Sequence, residues 1–396
     1  MHTQFAARMD AMKPSSIREL LKMTERPDVI SFAGGLPASE LFPIDDIRQA
    51  AERVFAECGS QTFQYGITEG VMTLRELIVA EMASRQVICT TDDVQVTTGS
   101  QQALDLLGKI FLDPGDVILT ETPTYLAAIQ AFQCFQAKFQ PVATDEQGIV
   151  PEAVDELAGK GGEHGKVRFL YVIPNFQNPS GRTLSIERRR QLVEIAQRRN
   201  LIIVEDDPYC RLRYRGEYLP PIKSFDEDGR VIYLSTLSKT VAPGFRTGWI
   251  VAGKAIRDKL VIAKQAADLH TSSFDQLVLA RYLRDFDNRQ HVARVCAAYG
   301  ERYAVMDAAL RQNLPDSFTW TQPEGGMFLW VTGPQSLNTS TILADAIDKG
   351  VAFVPGADFF PGGGGRNNMR LNFSNAKPES IRIGIERLAE ICKASV

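Results

Sequence analysis

Five polar segments follow apolar runs along the chain, and their residue types suit covalent chemistry on an anionic, aromatic ligand. They are Gly99-Ser100-Gln101-Gln102, Thr122-Pro123-Thr124-Tyr125, Asn175-Phe176-Gln177-Asn178-Pro179-Ser180-Gly181, Glu205-Asp206-Asp207-Pro208-Tyr209 and Ser235-Thr236-Leu237-Ser238-Lys239. Arg246 follows shortly after the lysine. Taken singly, each has a plain structural reading. Gly99-Ser100 reads as a turn and helix cap, Asn178-Pro179-Ser180-Gly181 as a turn, Asp206 and Asp207 as caps, and Lys239 as a surface charge. Taken jointly they offer an anion cradle at a helix start, a carboxylate after one strand, a lysine after the next, and an arginine beyond it.

No standard nucleotide fingerprint accounts for the cradle. A GxGxxG after the first strand is missing, and Gly161-Gly162-Glu163-His164-Gly165-Lys166 has neither the spacing nor the Ser/Thr of a P-loop. A phosphorylated group other than a dinucleotide or ATP fits better. Phosphate held at a helix start, a ring faced by a tyrosine and a carboxylate keeping a ring nitrogen protonated together describe a pyridoxal 5'-phosphate site.

These segments need elements that bring them together. Residues 94–98, 116–120, 167–173, 201–204, 231–234 and 248–252 are β-rich and nearly continuously apolar, as strands buried on both faces require. Helical stretches at 101–112 and 186–199 lie between them, the second with Ile186, Leu192, Val193, Ile195 and Ala196 clustering on one side. The pattern predicts an α/β fold with a mostly parallel sheet. The C-terminal ends of parallel strands share one rim, so the polar segments should converge there. Arg188, Arg189 and Arg190 read as the solvated face of their helix.

After residue 295 the texture changes to an amphipathic stretch at 302–314, short strands at 327–331, 351–354 and 369–373, and a closing helix at 379–393. The predicted organisation is an N-terminal arm and part of a small domain at 1–48, a large cofactor-binding domain at 49–295, and a C-terminal small α+β domain at 296–396.

Composition narrows the class. Of 396 residues 44% are apolar, enough for a substantial core. The 44 Lys and Arg against 48 Asp and Glu leave a formal charge of −4, which gives no broad attraction to nucleic acid or to an anionic membrane. Six dispersed cysteines without a CxxC pair fit a reduced, cytoplasmic protein, and four scattered histidines give no metal-ligand spacing. Neither a signal-peptide h-region nor a run approaching 18 apolar residues is present, so a soluble protein is expected.

The segments resemble, in order and over nearly the whole chain, those of the fold type I pyridoxal-phosphate aminotransferases of class I/II, and within them the 2-aminoadipate and kynurenine aminotransferase branch. The resemblance runs through Ile17-Arg18-Glu19-Leu20-Leu21, residues 31–37, Gln64-Tyr65-Gly66, 97–105, 175–181, 205–209, 235–246, Asp268-Leu269-His270-Thr271, 324–330 and 369–374. It implies a mostly parallel, seven-stranded-type sheet sandwiched by helices beside a smaller α+β domain, and that Lys239 carries the cofactor and acts as general base at the substrate Cα, with Asp206 paired to the pyridine nitrogen and Asn178 and Tyr209 donating to the phenolate oxygen. Tyr125 would stack on the ring. Ser100, Gln101, Thr236, Ser238 and Arg246 would hold the phosphate, joined by Tyr65 from a neighbouring subunit, which implies a homodimer with shared sites. Thr236 stands where relatives often carry serine, and its hydroxyl can still reach a phosphate.

Arg370 would grip the substrate α-carboxylate bidentately, Gly34, Gly35 and Leu36 would form a mobile segment over the substrate, and Arg18 would meet a distal acidic group or lie on a solvated face. His270 would line the pocket or serve structurally. The implied reaction is a ping-pong exchange of an amino group between an L-amino acid (2-aminoadipate, glutamate, aromatic or branched-chain) and a 2-oxo acid such as 2-oxoglutarate. Elimination, decarboxylation or cyclisation on the same fold is the alternative. More remote are a ligand-sensing regulator, for which the segment before the cofactor domain is short, and an NAD-dependent dehydrogenase, which lacks its glycine fingerprint.

Overall fold

The computed structural model describes residues 5–9, 12, 14, 20, 28–160 and 165–395. Its central sheet has seven strands in the order β2-β10-β9-β8-β7-β3-β4. These are β2 (Val94–Thr97), β3 (Val117–Thr120), β4 (Lys138–Pro141), β7 (Val167–Val172), β8 (Ile202–Asp206), β9 (Val231–Thr236) and β10 (Gly248–Val251). Six coincide with the apolar runs, and burial on both faces explains their unbroken apolarity: β2, β3, β9 and β10 are buried at every position. The seventh, β4, carries no apolar run because it is a half-exposed edge strand ending at a proline.

All neighbours pair in parallel except β10, which runs antiparallel to both β2 and β9. That reversal matters for the site. The strands β2, β3, β7, β8 and β9 end on one rim, whereas β10 begins there, with Gly248 opposite Thr97 and Thr236. Arg246, just before β10, therefore reaches the same rim from the other direction.

Two short ladders stand apart from the central sheet: β5 (Thr144–Asp145) antiparallel with β6 (Gly148–Ile149), and β1 (Ile30–Ser31) in parallel with β13 (Val351–Ala352). The latter pairing attaches the N-terminal segment to the C-terminal region. A four-stranded sheet of order β11-β12-β15-β14 comprises Thr319–Trp320, Phe328–Thr332, Asn368–Asn372 and Val354–Pro355. The helix Pro378–Ala394 packs beside the 26-residue helix Asn288–Asn313. This long helix begins before the amphipathic stretch read from the sequence and runs unbroken through the expected boundary at 295/296. No described helix is long and apolar enough to cross a membrane.

One charge reading is corrected. On the helix Ile186–Arg199, Arg188 pairs with Asp145 and Arg190 stacks over Phe225 at 4.2 Å, but Arg189 is fully buried. Its guanidinium donates to the carbonyls of Leu184, Pro174 and Pro220 and to Asn175 Oδ1, at 2.7–3.1 Å. Positions 189, 192, 193 and 196 share one helix face, so the arginine enters the core with the apolar stripe. Asn175 in turn donates to Asp207 Oδ1 at 2.8 Å, and Asp207 pairs with buried Arg85. The hydrogen-bonded charges behind β8 thus brace the loop carrying Asn178.

Candidate active site

The rim encloses a cavity of about 570 Å³ lined by residues from every predicted segment, including Ser100, Tyr125, Asn178, Asp206, Tyr209, Thr236, Ser238, Lys239, Arg246 and Arg370. Gln101 and Gly35 also line it. Tyr65 does not: it is 80% exposed on the surface, with its ring edge-on to His270 at 5.9 Å. Arg18 lies outside the described residues.

The cradle forms where β2 turns into the helix Gly99–Phe111. Gly99 has φ +71°, and a Cβ there would lie 2.4 Å from Arg246 Nη2, so a side chain would displace the guanidinium. Gly248 is equally constrained, since its Cβ would meet Ser100 N at 2.9 Å. These two glycines let the helix start, the arginine and β10 close on one point. Thr236 Oγ1 and Ser238 Oγ lie 2.9 Å apart beside it, and Arg246 Nη1 is 3.4 Å from Ser238 Oγ. Ser100 Oγ is buried without a hydrogen-bond partner. Exposed backbone donors, an arginine and an unsatisfied hydroxyl are what a phosphate requires. Gly99→Ala is expected to weaken pyridoxal 5'-phosphate binding by about tenfold or more, because an αL alanine costs about 1–2 kcal/mol before the arginine moves. Titration of the apoenzyme, following the visible absorbance band, measures it.

At the other end of the cavity, Asp206 receives a 2.7 Å hydrogen bond from Tyr171 on Oδ2, while Oδ1 is buried with no partner. Burial raises its carboxyl to about pKa 7, and neighbouring Asp207 adds to the rise. A carboxylate so placed is satisfied by a cationic N–H donor, which a protonated pyridine nitrogen supplies. The donor set therefore fits pyridoxal 5'-phosphate at both ends. Tyr209, buried with its ring edge-on to Phe328, is held protonated by burial and remains a donor.

Lys239 Nζ donates to the Gly35 carbonyl at 3.0 Å. Burial, reinforced by the cations Arg246 and Arg370, lowers its pKa to about 8. About a tenth of its amine is thus free at pH 7, against well under a thousandth for an ordinary lysine. Arg370, on β15, is 1% exposed. Its Nη1 donates to Asn178 Oδ1 at 2.8 Å, its Nη2 donates to the Ala33 carbonyl at 2.6 Å, and the guanidinium lies 4.3 Å from the Phe328 ring centroid. No acidic side chain among the described residues pairs with it, and Nε has no partner. Burial lowers it to about 10, still protonated at neutral pH. A buried cation without a counter-ion is a receptor for an anion.

His270 has a structural arrangement. Its Nε2 accepts the Gly66 N–H at 3.2 Å and its Nδ1 lies 2.8 Å from the Thr271 carbonyl, a pair of bonds satisfied by the neutral ring protonated at Nδ1. Sequence reasoning missed Tyr171, Phe328 and the Ala33 carbonyl. Strand alternation places Tyr171 beside Asp206 on the neighbouring β8, a signal readable only once the strand order is known.

The chain matches the pattern of the family described as aminotransferase class I and II over residues 27–388. It is 46% identical to aromatic-amino-acid aminotransferase 1 of Thermococcus litoralis, covering 98% of this chain and 94% of that one. It is 40% identical to the 2-aminoadipate transaminase of Thermus thermophilus, covering 96% and 94%. Among solved structures it is similar to the Pyrococcus horikoshii kynurenine aminotransferase in complex with PMP, with a TM-score of 0.95 at 42% identity, covering 99% of this chain and 97% of that one. The convergence of the rim residues on a pyridoxal-phosphate donor set and these full-length similarities have one conclusion: the chain belongs to the aminotransferase class I and II family and is a fold type I, pyridoxal 5'-phosphate-dependent aminotransferase.

Proposed function

We propose that this aminotransferase moves the amino group of an aromatic or 2-aminoadipate-type L-amino acid to a 2-oxo acid such as 2-oxoglutarate in two half-reactions, the first product leaving before the second substrate binds. The observation that carries this reading is the pairing, in one cavity, of a lysine lowered to about pKa 8 with a buried arginine that has no acidic partner among the described residues. Arg370 binds the α-carboxylate through its fork, and Asn178 and the Ala33 carbonyl keep that fork in plane. Lys239 takes the proton from Cα and returns it one position away. The bound cofactor supplies an electron sink for the charge developing at Cα. Asp206 and Tyr209 hold its ring nitrogen and phenolate oxygen, and the cradle around Ser100 and Arg246 holds its phosphate. The segment Gly34-Gly35-Leu36 covers the substrate, excluding water.

Leu36, Leu104, Ile173 and Phe328 line the cavity with an apolar wall, which supports aromatic and aliphatic donors. For an acidic donor, Arg18 is the proposed counter-charge. The relatives named for aromatic amino acids and for 2-aminoadipate support both classes. A homodimer is proposed on Tyr65 together with exposed Phe55, Phe63 and Ile67, an apolar surface in which the rings of Phe55, Phe63 and Phe274 lie 5.4–5.8 Å apart, Phe63 and Phe274 stacked and Phe55 tilted to both.

The test is the absorbance of the purified holoenzyme. Added L-2-aminoadipate or L-tyrosine is expected to shift the visible band, and 2-oxoglutarate alone to restore it. Release of ammonia or carbon dioxide without restoration would point to elimination or decarboxylation instead. Because Lys239, once displaced by the substrate amine, must be unprotonated before it can take the Cα proton, the first half-reaction at saturating substrate is expected to quicken about tenfold per pH unit well below about 8 and to level above it. The same depressed value makes the apoprotein gain stability as pH rises from about 8 towards the ordinary lysine range, where the unfolded chain still holds the proton. A flat pH–rate profile between 6 and 8 would contradict the role of Lys239 as the base.

A further inference from the structure

Behind the phosphate cradle lies a clamp of side chains that the chemistry above leaves unused. Lys264, at the end of the helix Lys254–Ala267, has a side chain with no exposure at all. Its Nζ donates to Asp268 Oδ1 at 2.8 Å and to Gln102 Oε1 at 2.6 Å. Asp268 Oδ2 accepts from Thr98 Oγ1 at 2.9 Å and from Gln102 Nε2 at 2.6 Å. Gln102 Oε1 also accepts the Thr98 backbone N–H at 2.8 Å, and Thr98 Oγ1 lies 3.2 Å from Thr271 Oγ1. Leu269, next to the carboxylate, sits at φ +65°, a conformation a leucine adopts only under constraint.

Thr98 and Gln102 flank Gly99, Ser100 and Gln101, of which Ser100 and Gln101 line the cavity and Gly99 lies against Arg246. We propose that Asp268, neutralised by the buried ammonium of Lys264, is a positioning residue that fixes both flanks of the helix start and so sets the cradle for the cofactor's phosphate. The charge balance is essential to the device. The first turn of a helix attracts anions through its free N–H groups, and an uncompensated carboxylate beside it competes with the phosphate for that field. Lys264 removes the competition and leaves Asp268 as a neutral pair with three acceptor bonds. None of Thr98, Gln102, Lys264 and Asp268 lines the cavity itself, so the clamp's effect should appear only in ligands that carry a phosphate.

That selectivity is the test. Apoenzyme would be titrated with pyridoxal 5'-phosphate and, separately, with pyridoxal, following the absorbance band, for the parent protein, Lys264→Met and the double variant Lys264→Met/Asp268→Asn. Lys264→Met is expected to weaken pyridoxal 5'-phosphate by about tenfold or more while pyridoxal changes by less than about threefold. The double variant, with no stranded charge, is expected to recover part of the loss. The thermal midpoint of each apoprotein accompanies the titrations. Equal loss for both ligands, whether or not the midpoint falls, would show that the pair only maintains the fold, and no loss for either would show that it does not bear on the phosphate. A double variant as poor as Lys264→Met in discriminating the two ligands would overturn the charge-balancing role.

Discussion

Lys239→Ala is expected to lower kcat by about 10⁴-fold or more while the cavity still takes up pyridoxal 5'-phosphate, since general-base catalysis alone contributes about 10²–10⁴ and the nucleophilic amine is lost with it. Among the described residues lining the cavity, Lys239 alone bears an amine. The oxygen and guanidinium groups around it, Tyr125, Tyr209, Asp206, Arg246 and Arg370, cannot substitute: burial holds the Tyr209 hydroxyl protonated, and the guanidinium of Arg370 remains charged at neutral pH. Removing the lysine also removes its bond to the Gly35 carbonyl, a loss that affects one exchangeable contact rather than the core. Steady-state kinetics with and without millimolar methylamine would check the assignment. Partial rescue by the small amine is expected, because it refills the space with the missing functional group. Activity of the variant within tenfold of the parent would remove Lys239 from the reaction.

Arg370→Met is expected to reduce kcat/KM for every amino acid by about 10²–10³-fold, irrespective of side chain, by removing a charge-assisted fork worth about 3–4 kcal/mol in a desolvated site. The loss should fall mainly on KM, since the α-carboxylate is bound in the ground state as well as during proton transfer. A second effect has a definite sign. Burial is the main cause of the depressed Lys239 pKa, with Arg246 and Arg370 adding to it, so deleting one guanidinium lets the lysine keep its proton to higher pH. The acid limb of the pH–rate profile should therefore move upward from about 8 in this variant. Arg370→Lys, which keeps the charge but cannot bond Asn178 and the Ala33 carbonyl in one plane, should show the binding defect with less of the pH shift. A profile that does not move in Arg370→Met would mean that the arginine does not sense the lysine.

Those expectations rest on a rim that was legible in the sequence because strands buried on both faces need unbroken apolar runs, and because the polar residues at their ends stand out against them. What was not legible shares a physical cause. Arg189, Glu205 and Asp207 are buried charges, and charge along a sequence does not reveal whether hydrogen-bond partners wait in the core; Glu205 is satisfied by the backbone N–H groups of Ile222 and Lys223 at 2.7 and 2.8 Å, far along the chain. The start of the helix Asn288–Asn313 escaped notice because its inward face is built from His291, Cys296, Tyr299 and Arg302 as well as valines, which breaks the apolar stripe without breaking the helix. The edge strand β4 was silent for the opposite reason, being too exposed to need apolar residues. The direction of β10 follows from pairing, which no local pattern encodes.

That reversed strand has a consequence for how the protein is made. The cradle needs β2, β9 and β10 together, and the anion receptor needs Arg370 bonded to the Ala33 carbonyl, 337 residues away in the chain. During synthesis a nascent chain lacking its last strands already has the lysine, the carboxylate and the three strands of the cradle, but not the receptor. Capture of the substrate carboxylate is therefore a report on completed translation and folding, whereas the strands of the phosphate cradle are all present once β10 has been made.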